Sequence, residues 1–576
     1  MLDNYLNLEN LSDEQKRVVE SDKNIILTAC PGSGKTRTLT YRLAYQTVNS
    51  PLSNKLNIAI TFTNRAANEI ENRLIDMGIE SSNVWTGTIH QFCMRYIIQP
   101  YSMYSKCLFK GYTIIDEYVK DKYINDIKEE LGIKIDYYEN PLTNCHILKA
   151  YNEKLRKNKE IDFDMILKYS NLLLEENSFI SENIASLINC IFVDEFQDTN
   201  ELQYLILSKI FKANKSIIIM FVGDINQAIY GTLGGCAKSK SELDILYDTD
   251  FSEMSLTGCY RSTQRIVNLY KRFEIKETGV VSVSNIKNEE GIAKYNYKIS
   301  KDDLINKIAT IIKTELANGI KAEDICILEP QWYGLFNLSK QLRSLLPDVS
   351  FDSPDISPIK YDPLNPFYLI AQLLFMPKGE KTYLKKKIAN ELISIFKNEF
   401  NLVISENIIN YDIITAINCC RNIDSDGINC FRAAISSVFS LLEIDIQSED
   451  SLSNMQIHYF EKINDRIEKY QLEKSYESIS KYFCERQGIV ISTIHGIKGE
   501  EYHTVIAFDL LNGKLPNWNI ICNHDSTFRQ IEANKLLYVL CSRAKKNIYL
   551  FSETGRTTKK GVKLTPTDEL IRLIRH

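Results

Sequence analysis

IILTACPGSGKTR, residues 25–37, is the stretch that decides how this chain folds. Ile25, Ile26 and Leu27 read as a strand, the residues around Gly32 as a tight turn, and Gly34-Lys35-Thr36 as the opening of a helix. That order builds an anion site. Backbone N–H groups of Gly32, Ser33 and Gly34 converge on one point, Lys35 reaches the outer phosphates, and the Thr36 hydroxyl can hold Mg²⁺. Ala29 stands where the general pattern G-x-x-x-x-G-K-[ST] has its first glycine. The cradle needs a second half, an acid at the end of another apolar strand to hold the metal, and residues 191–198, IFVDEFQD, supply it.

A chain of 576 residues exceeds one core and suggests about three or four domains. With 44% hydrophobic and 25% charged residues the composition is that of a globular protein, which excludes a disordered one. A net charge of −5 argues against a general basic coat, although a local groove can still be basic. The fourteen cysteines are scattered without C-x-x-C spacing, and even Cys419-Cys420 with Cys430 reads as free thiols in a reducing compartment. The N-terminal stretch is acidic and polar, and no apolar run approaches the ~18 residues of a membrane span. A cytoplasmic protein without membrane contact is expected.

Upstream of the cradle, Ser12 reads as a helix N-cap with Gln15 as its box partner. The Gln15 amide, with donor and acceptor together, could equally read an adenine edge. Residues 57–74 change period from strand to amphipathic helix, and the polar turn Thr61 to Arg65 falls at a strand's carboxyl end, where open α/β sheets bind ligands. Phe62 there is either core or a base-stacking platform. Val84 to His90 ends in the same way. Residues 96–186 lose the strand rhythm and predict a helical insertion, with helices at Asp116–Leu131 and Asp164–Glu176.

In IFVDEFQD, Asp194 falls at the strand end as metal ligand, and Glu195 beside it can orient or deprotonate the attacking water. The next strand, residues 216–222, leads to Gln227, placed to sense a γ-phosphate, and Tyr230. Tyr260-Arg261 sets a purine-stacking aromatic beside an arginine that can fork onto phosphate. A second α/β unit starts at Ile325. Residues 350–482 predict a helical region with loops at Asp424–Gly427 and Ser448–Ser453. Strand logic returns with Ile489 to Tyr502, residues 504–508 and residues 547–551, and Arg543 sits at a helix end. About 25 residues follow, too few for an appended nuclease domain.

Taken together, the Gln15 region, ACPGSGKTR, AITFTNRAANEI, TGTIHQF, VDEFQDTNELQ, VGDINQAIYG, LTGCYRS, TIHGIKGEEY and YVLCSRA resemble, in this order, the UvrD/Rep-type helicases of superfamily 1. Ala29 is what that family usually shows. The resemblance implies an α/β fold of two RecA-like P-loop NTPase domains with parallel sheets, each carrying a mainly helical inserted subdomain. The first would comprise residues 1–95 and 187–262 with insertion 96–186, the second residues 263–349 and 483–576 with insertion 350–482.

Carried over, Gln15 would read adenine, Arg37 and Tyr260 would sandwich it, and Lys35 and Thr36 would take the phosphates of ATP and the Mg²⁺ with Asp194. Glu195 would be the catalytic base, Gln227, Arg261 and Arg543 would surround the γ-phosphate, and Glu501 would hold the ribose. Phe62, Asn64, His90, Tyr230, Thr493 and His495 would lie along single-stranded DNA. The implied activity is ATP-dependent translocation on and unwinding of tailed duplex DNA, 3′ to 5′, in DNA repair or antiviral defence. After Tyr230 the family continues with an aromatic, an arginine and glycine, whereas this chain has Thr232, Leu233 and Gly234. Losing one base stack forfeits on the order of 1–3 kcal/mol of strand grip. A second reading is therefore a DNA-dependent ATPase subunit that switches a partner nuclease, and a third is an ATPase acting on RNA or protein. Glu500 replaces the usual apolar residue before the ribose glutamate, and Ser542 the usual threonine before the finger arginine.

Overall fold

The computed structural model describes residues 8–573 apart from 50–53, 80–82, 116, 136–139, 232–233, 353–356, 360–361, 363–364, 380–381, 399, 401, 447–449, 484–487 and 559. The chain divides into two compact units, one of Met1–Ile320, Asp324–Trp332 and Ser492–His576, the other of Lys321–Glu323 and Tyr333–Ile491.

The first unit contains a six-stranded sheet of β1 (Ile25–Ala29), β2 (Leu56–Thr61), β3 (Val84–Thr88), β4 (Ile188–Val193), β5 (Ile218–Gly223) and β6 (Ser252–Leu256), in the order β3-β2-β4-β5-β1-β6. Every pairing in it is parallel. Parallel strands covered on both faces tend toward continuous apolar runs, and β1, β2, β4 and β5 are buried along most of their length, whereas the edge strand β6, SEMSL, alternates with exposed Glu253 and Ser255. Ile25, Leu27 and Ala29 point into one core with Ala59, Phe192 and Val222, whereas Ile26 points into the other with Ile60, Ile191 and Phe221. The period of two thus assigns alternate residues to opposite faces. Helices α1 (Asp13–Val19), α2 (Lys35–Asn49) and α3 (Asn64–Asp76), with α4 (Glu201–Ala213) after β4, form the covering layers.

Because all six strands run the same way, the turns after β1, β2, β3, β4 and β5 emerge at one edge. Those turns hold the phosphate loop, Phe62, His90, Asp194 with Glu195, and Gln227. A second parallel set in the same unit comprises β7 (Ala293–Asn296), β8 (Ile325–Glu329), β9 (Tyr502–Ala507) and β10 (Ala544–Phe551), ordered β7-β10-β9-β8. Helix α5 (Ser526–Ser542) leads into β10 and delivers Arg543.

The region expected to be helical between residues 96 and 186 holds the helices Glu117–Leu131 and Cys145–Asn158, around a small core of Ile124, Ile147 and Tyr151, and Phe163–Glu176 and Ser178–Ser186, which bury Ile166, Leu173 and Ile180 in a core of the first sheet. A two-residue parallel pair, Thr113–Ile114 with Glu160–Ile161, adds a strand element that the periodicity does not reveal. The second unit is mainly helical, its core built from Phe367, Leu374, Phe396, Phe431 and Phe439. One expectation is corrected there. Of the loop read at Ser448–Ser453, residues 448–449 lie outside the described residues and residues 450–453 instead open a helix, Asp450–Tyr470, whose apolar residues Leu452, Tyr459, Phe460 and Ile463 recur at helical spacing and are buried. The loop at residues 424–426 is present, and Asp426 caps the helix that follows. All cysteines among the described residues are free, and no group of three His, Cys, Asp or Glu side chains among them could hold a metal. No helix among the described residues is long and apolar enough to cross a membrane.

Candidate active site

The phosphate loop is shaped by two glycines. Gly32 lies at φ +71° with Arg261 Cβ 2.5 Å from where its own Cβ would be, and Gly34 lies at +81° with Gln15 Nε2 at 2.8 Å. A side chain at either position would meet both a strained backbone and a neighbour. The loop is pinned by the Ser33 hydroxyl donating to the Cys30 carbonyl at 2.7 Å and by Tyr260 N–H donating to Gly32 O at 2.8 Å. The buried Ala29 ends β1 just before it. The capping-box reading of Gln15 holds here. Its Oε1 accepts from Ser12 N–H at 3.1 Å, completing the capping box, and its Nε2 donates to Ser33 O at 3.0 Å. Gln15 braces the loop.

Lys35 Nζ stands 3.6 Å from Glu195 Oε1. Burial alone would lower the lysine pKa, but Glu195, Asp224 and Asp194 outweigh it and keep the ammonium charged. Glu195 is in the left-handed region at φ +52°, a strained conformation for a side-chain-bearing residue and one concentrated at functional sites. Its burial would raise its pKa, yet the ammonium groups of Lys35 and Lys498 hold it low, at about 2. Asp194 moves the other way. Burial and the adjacent Glu195 carboxylate push it up to about 7, against the pull of Lys35. One carboxylate is thus kept charged and its neighbour short of positive charge, a donor set that suits a hard divalent cation beside Asp194.

From Glu195 a hydrogen-bonded chain crosses to the second sheet. Gln197 Nε2 donates to Glu195, and Gln197 Oε1 accepts from Asp224 N–H at 3.0 Å. Asp224 Oδ2 accepts from Gln227 Nε2 at 2.7 Å, and Gln227 Oε1 accepts from Arg543 Nη2 at 2.7 Å. Arg543 is 2% exposed and also donates to Val539 O and to Glu500 O. Burial and Arg261 lower its pKa to about 10, which leaves it charged at neutral pH. Arg261 donates to Glu501 at 2.6 Å and to Ser542 O at 3.0 Å, and Lys545 lies 3.1 Å from Glu501. The side chain expected on the ribose is thus engaged by two cations. Arg37 donates to Asn10 O at 3.1 Å, and Tyr260 is half exposed.

Two residues of this network, Asp224 and Lys498, carry no individual role in the reading of the sequence. Asp224 links Gln227 to Gln197. Lys498 holds Asp198, donates to Gln227 O at 3.0 Å and lies 3.9 Å from Glu195. The signal for Lys498 was its place in HGIKGEE, a turn bounded by glycines after a strand.

Along the same edge, the rings of Phe62 and Tyr230 stand 4.8 Å apart and Tyr230 meets His495 edge-on at 5.7 Å. Phe62 is 42% exposed, so an aromatic face is open beside the nucleotide network. Asn64 opens α3 next to it, and Thr493 Oγ1 accepts from Gly496 N–H at 3.1 Å, shaping the His495 turn. His90 lies apart from this group, stacked on Phe163 at 4.1 Å, and burial lowers its pKa to about 4. Thr232 and Leu233, where the chain departs from the family pattern, lie outside the described residues.

A phosphate loop on one parallel sheet, completed by an arginine from a second, defines a P-loop ATPase with paired RecA-like domains. The model of the UvrD/REP helicase N-terminal domain matches residues 11–145 and 118–240, and that of the UvrD-like helicase C-terminal domain matches residues 384–554. The chain belongs to the UvrD/Rep-type DNA helicases of superfamily 1 and is an ATP-hydrolysing enzyme of that family. It is 23% identical over 642 residues to a protein named ATP-dependent DNA helicase PcrA of Staphylococcus aureus (strain Mu50), covering 95% of this chain and 84% of the relative. It is 28% identical over 360 residues to the PcrA of strain MRSA252, covering 56% of this chain and 48% of that protein. The PcrA of Staphylococcus epidermidis (strain ATCC 12228) is 23% identical over 641 residues, covering 95% of this chain and 84% of that protein.

Proposed function

We propose that this enzyme is an ATP-dependent DNA helicase whose hydrolysis is stimulated by single-stranded DNA and drives it 3′ to 5′ along the strand. The observation that carries this reading is the single stretch from Asp224 to Tyr230. Gln227 sits in the hydrogen-bonded chain between Glu195 and Arg543, and three residues later Tyr230 lies in the aromatic line with Phe62 and His495. A shift at one end of so short a segment is felt at the other.

In this reading Lys35 and the loop N–H groups bind the triphosphate, and Thr36 and Asp194 hold Mg²⁺, which neutralises phosphate charge when bound. Glu195, charged but buried, accepts the proton of the attacking water. Gln227, Arg261 and Arg543 stabilise the charge that develops on the γ-phosphate. Gln15, Arg37, Tyr260 and Glu501 hold the adenosine, with Phe62, Asn64, Tyr230, Thr493 and His495 along the strand and His90 at its margin.

Steady-state ATPase with and without single-stranded DNA, beside Glu195→Gln, tests the reading, followed by displacement of 3′-tailed and 5′-tailed duplexes. Stimulated hydrolysis with displacement of the 3′-tailed duplex alone, both abolished by Glu195→Gln, is the expected result. Stimulation without displacement of either duplex would replace unwinding by a nucleotide-driven switch.

A further inference from the structure

Arg65 and Glu500 are 435 residues apart in sequence and ion-paired in space through Arg65 Nη1 and Glu500 Oε1. The two ends differ in environment. The Arg65 side chain is 72% exposed in the first turn of α3, three residues beyond Phe62, whereas that of Glu500 is 12% exposed. The other Glu500 oxygen accepts from the Tyr502 hydroxyl, and the Glu500 backbone carbonyl accepts from Arg543 Nη1 at 3.3 Å. Lys498, in the same turn, holds Asp198 and the Gln227 carbonyl. One residue therefore grips the first turn of α3 with its side chain and bears the finger arginine with its backbone.

We propose that the Arg65–Glu500 ion pair is a clasp that restrains Arg543 until a backbone phosphate of single-stranded DNA takes Arg65. The inference rests on the DNA-dependent reading above. A solvent-facing guanidinium exchanges a carboxylate for a phosphate without losing charge pairing, because both present two oxygens to its fork. The pair is open to solvent at its Arg65 end, and Glu500 keeps its bond from the Tyr502 hydroxyl when Arg65 leaves, so a phosphate delivered by a strand stacked on Phe62 can take the guanidinium. Release frees the turn of residues 498–501 to move, and with it the carbonyl that holds Arg543. DNA binding thus becomes a signal at the γ-phosphate through a contact that touches neither ATP nor the metal.

The test is ATPase of the full chain, without DNA and over a titration of oligo-dT, for wild type, Arg65→Ala, Glu500→Gln and the swap Arg65→Glu with Glu500→Arg. Glu500→Gln is expected to raise the DNA-free rate by about fivefold and to shrink the stimulation ratio accordingly. Arg65→Ala raises the DNA-free rate too, and weakens oligo-dT binding by about threefold with a shallower salt dependence. The swap remakes the clasp with reversed charge. It returns the DNA-free rate to that of wild type while leaving oligo-dT binding weak, a split that mere damage to the fold would not produce. A DNA-free rate unchanged by Glu500→Gln, or one that the swap fails to restore, overturns the clasp alone when wild type is stimulated by DNA. Absence of stimulation in wild type overturns the DNA-dependent reading together with it.

Discussion

Glu195 stays ionised against its own burial because two ammonium groups and the Gln197 amide face it, while Asp194 beside it is left short of positive charge. The chemistry follows from that asymmetry. Glu195→Gln keeps the shape and removes the proton acceptor, so kcat for ATP falls by about 10²–10⁴ while nucleotide binding persists. Steady-state ATPase beside titration with a fluorescent ATP analogue checks both halves, and a variant that still turns over near the wild-type rate would remove Glu195 from the role of base. Arg543 is the residue that reaches Gln227 from the other sheet. Arg543→Ala is expected to cost about 10³ in kcat, the size typical of an arginine finger. Combined with Gln227→Ala, the loss should fall short of the product of the single losses, since the two side chains act through one hydrogen bond.

At the scale of elements, α1 is short and depends on its cap. Ser12 and Gln15 satisfy two helix-end N–H groups reciprocally, and the same Gln15 braces Ser33. Ser12→Ala should cost about 1 kcal/mol in urea unfolding and raise KM for ATP, because the loop loses a braced partner. An unfolding loss with unchanged KM would confine Ser12 to capping. The far end of β8 carries a different conflict. Glu329 is buried beside Asp509, with Glu553, Lys514 and Arg556 around the latter, and burial followed by the Asp509 charge raises its carboxyl to about 9. A raised pKa means that the folded form keeps a proton the unfolded chain releases near the ordinary glutamate value. The stability it contributes is complete below about pH 4.3 and is lost as the pH climbs toward about 9. Glu329→Gln is neutral throughout, so its stability relative to wild type should improve between about pH 6 and pH 9, by on the order of 1–3 kcal/mol. Parallel unfolding curves across that range would show that Glu329 does not titrate in the fold.

At the scale of the molecule, the residues proposed for catalysis are distributed between two parallel sheets, and neither sheet carries the whole set. The first brings the phosphate loop, Asp194, Glu195 and Gln227, the second Arg543 and Glu501. Lys498 and Arg543 cross between them, so the proposed hydrolytic arrangement exists only while both sheets face one another. A strand across the edge marked by Phe62 and Tyr230 would be gripped mainly through its backbone. Its affinity for oligo-dT should fall steadily with salt, and a salt-independent Kd would argue against a phosphate-tracking path.

Five of the six strands of the first sheet, and the turn each one feeds, were legible in the sequence by itself, whereas β6, Ser252–Leu256, has no apolar run to announce it and forms by pairing with β1. Apolar runs ending in GKT, DE or NQ state both a buried parallel strand and the polar residue exposed at its carboxyl end. The sequence also determined the capping box at Ser12, because that signal spans only four residues. Other features were decided by tertiary structure alone. Gln15 is also committed to the Ser33 carbonyl, Lys498 reaches Asp198, and Arg65 finds Glu500. In the second unit, residues 450–453 of the stretch read as a loop open a helix whose apolar side chains, Leu452 among them, have a core to enter. The physical reason is range. Periodicity, caps and strand-end motifs act over a few residues and are written locally, whereas an ion pair between side chains hundreds of residues apart exists only when the folded backbone brings them within reach.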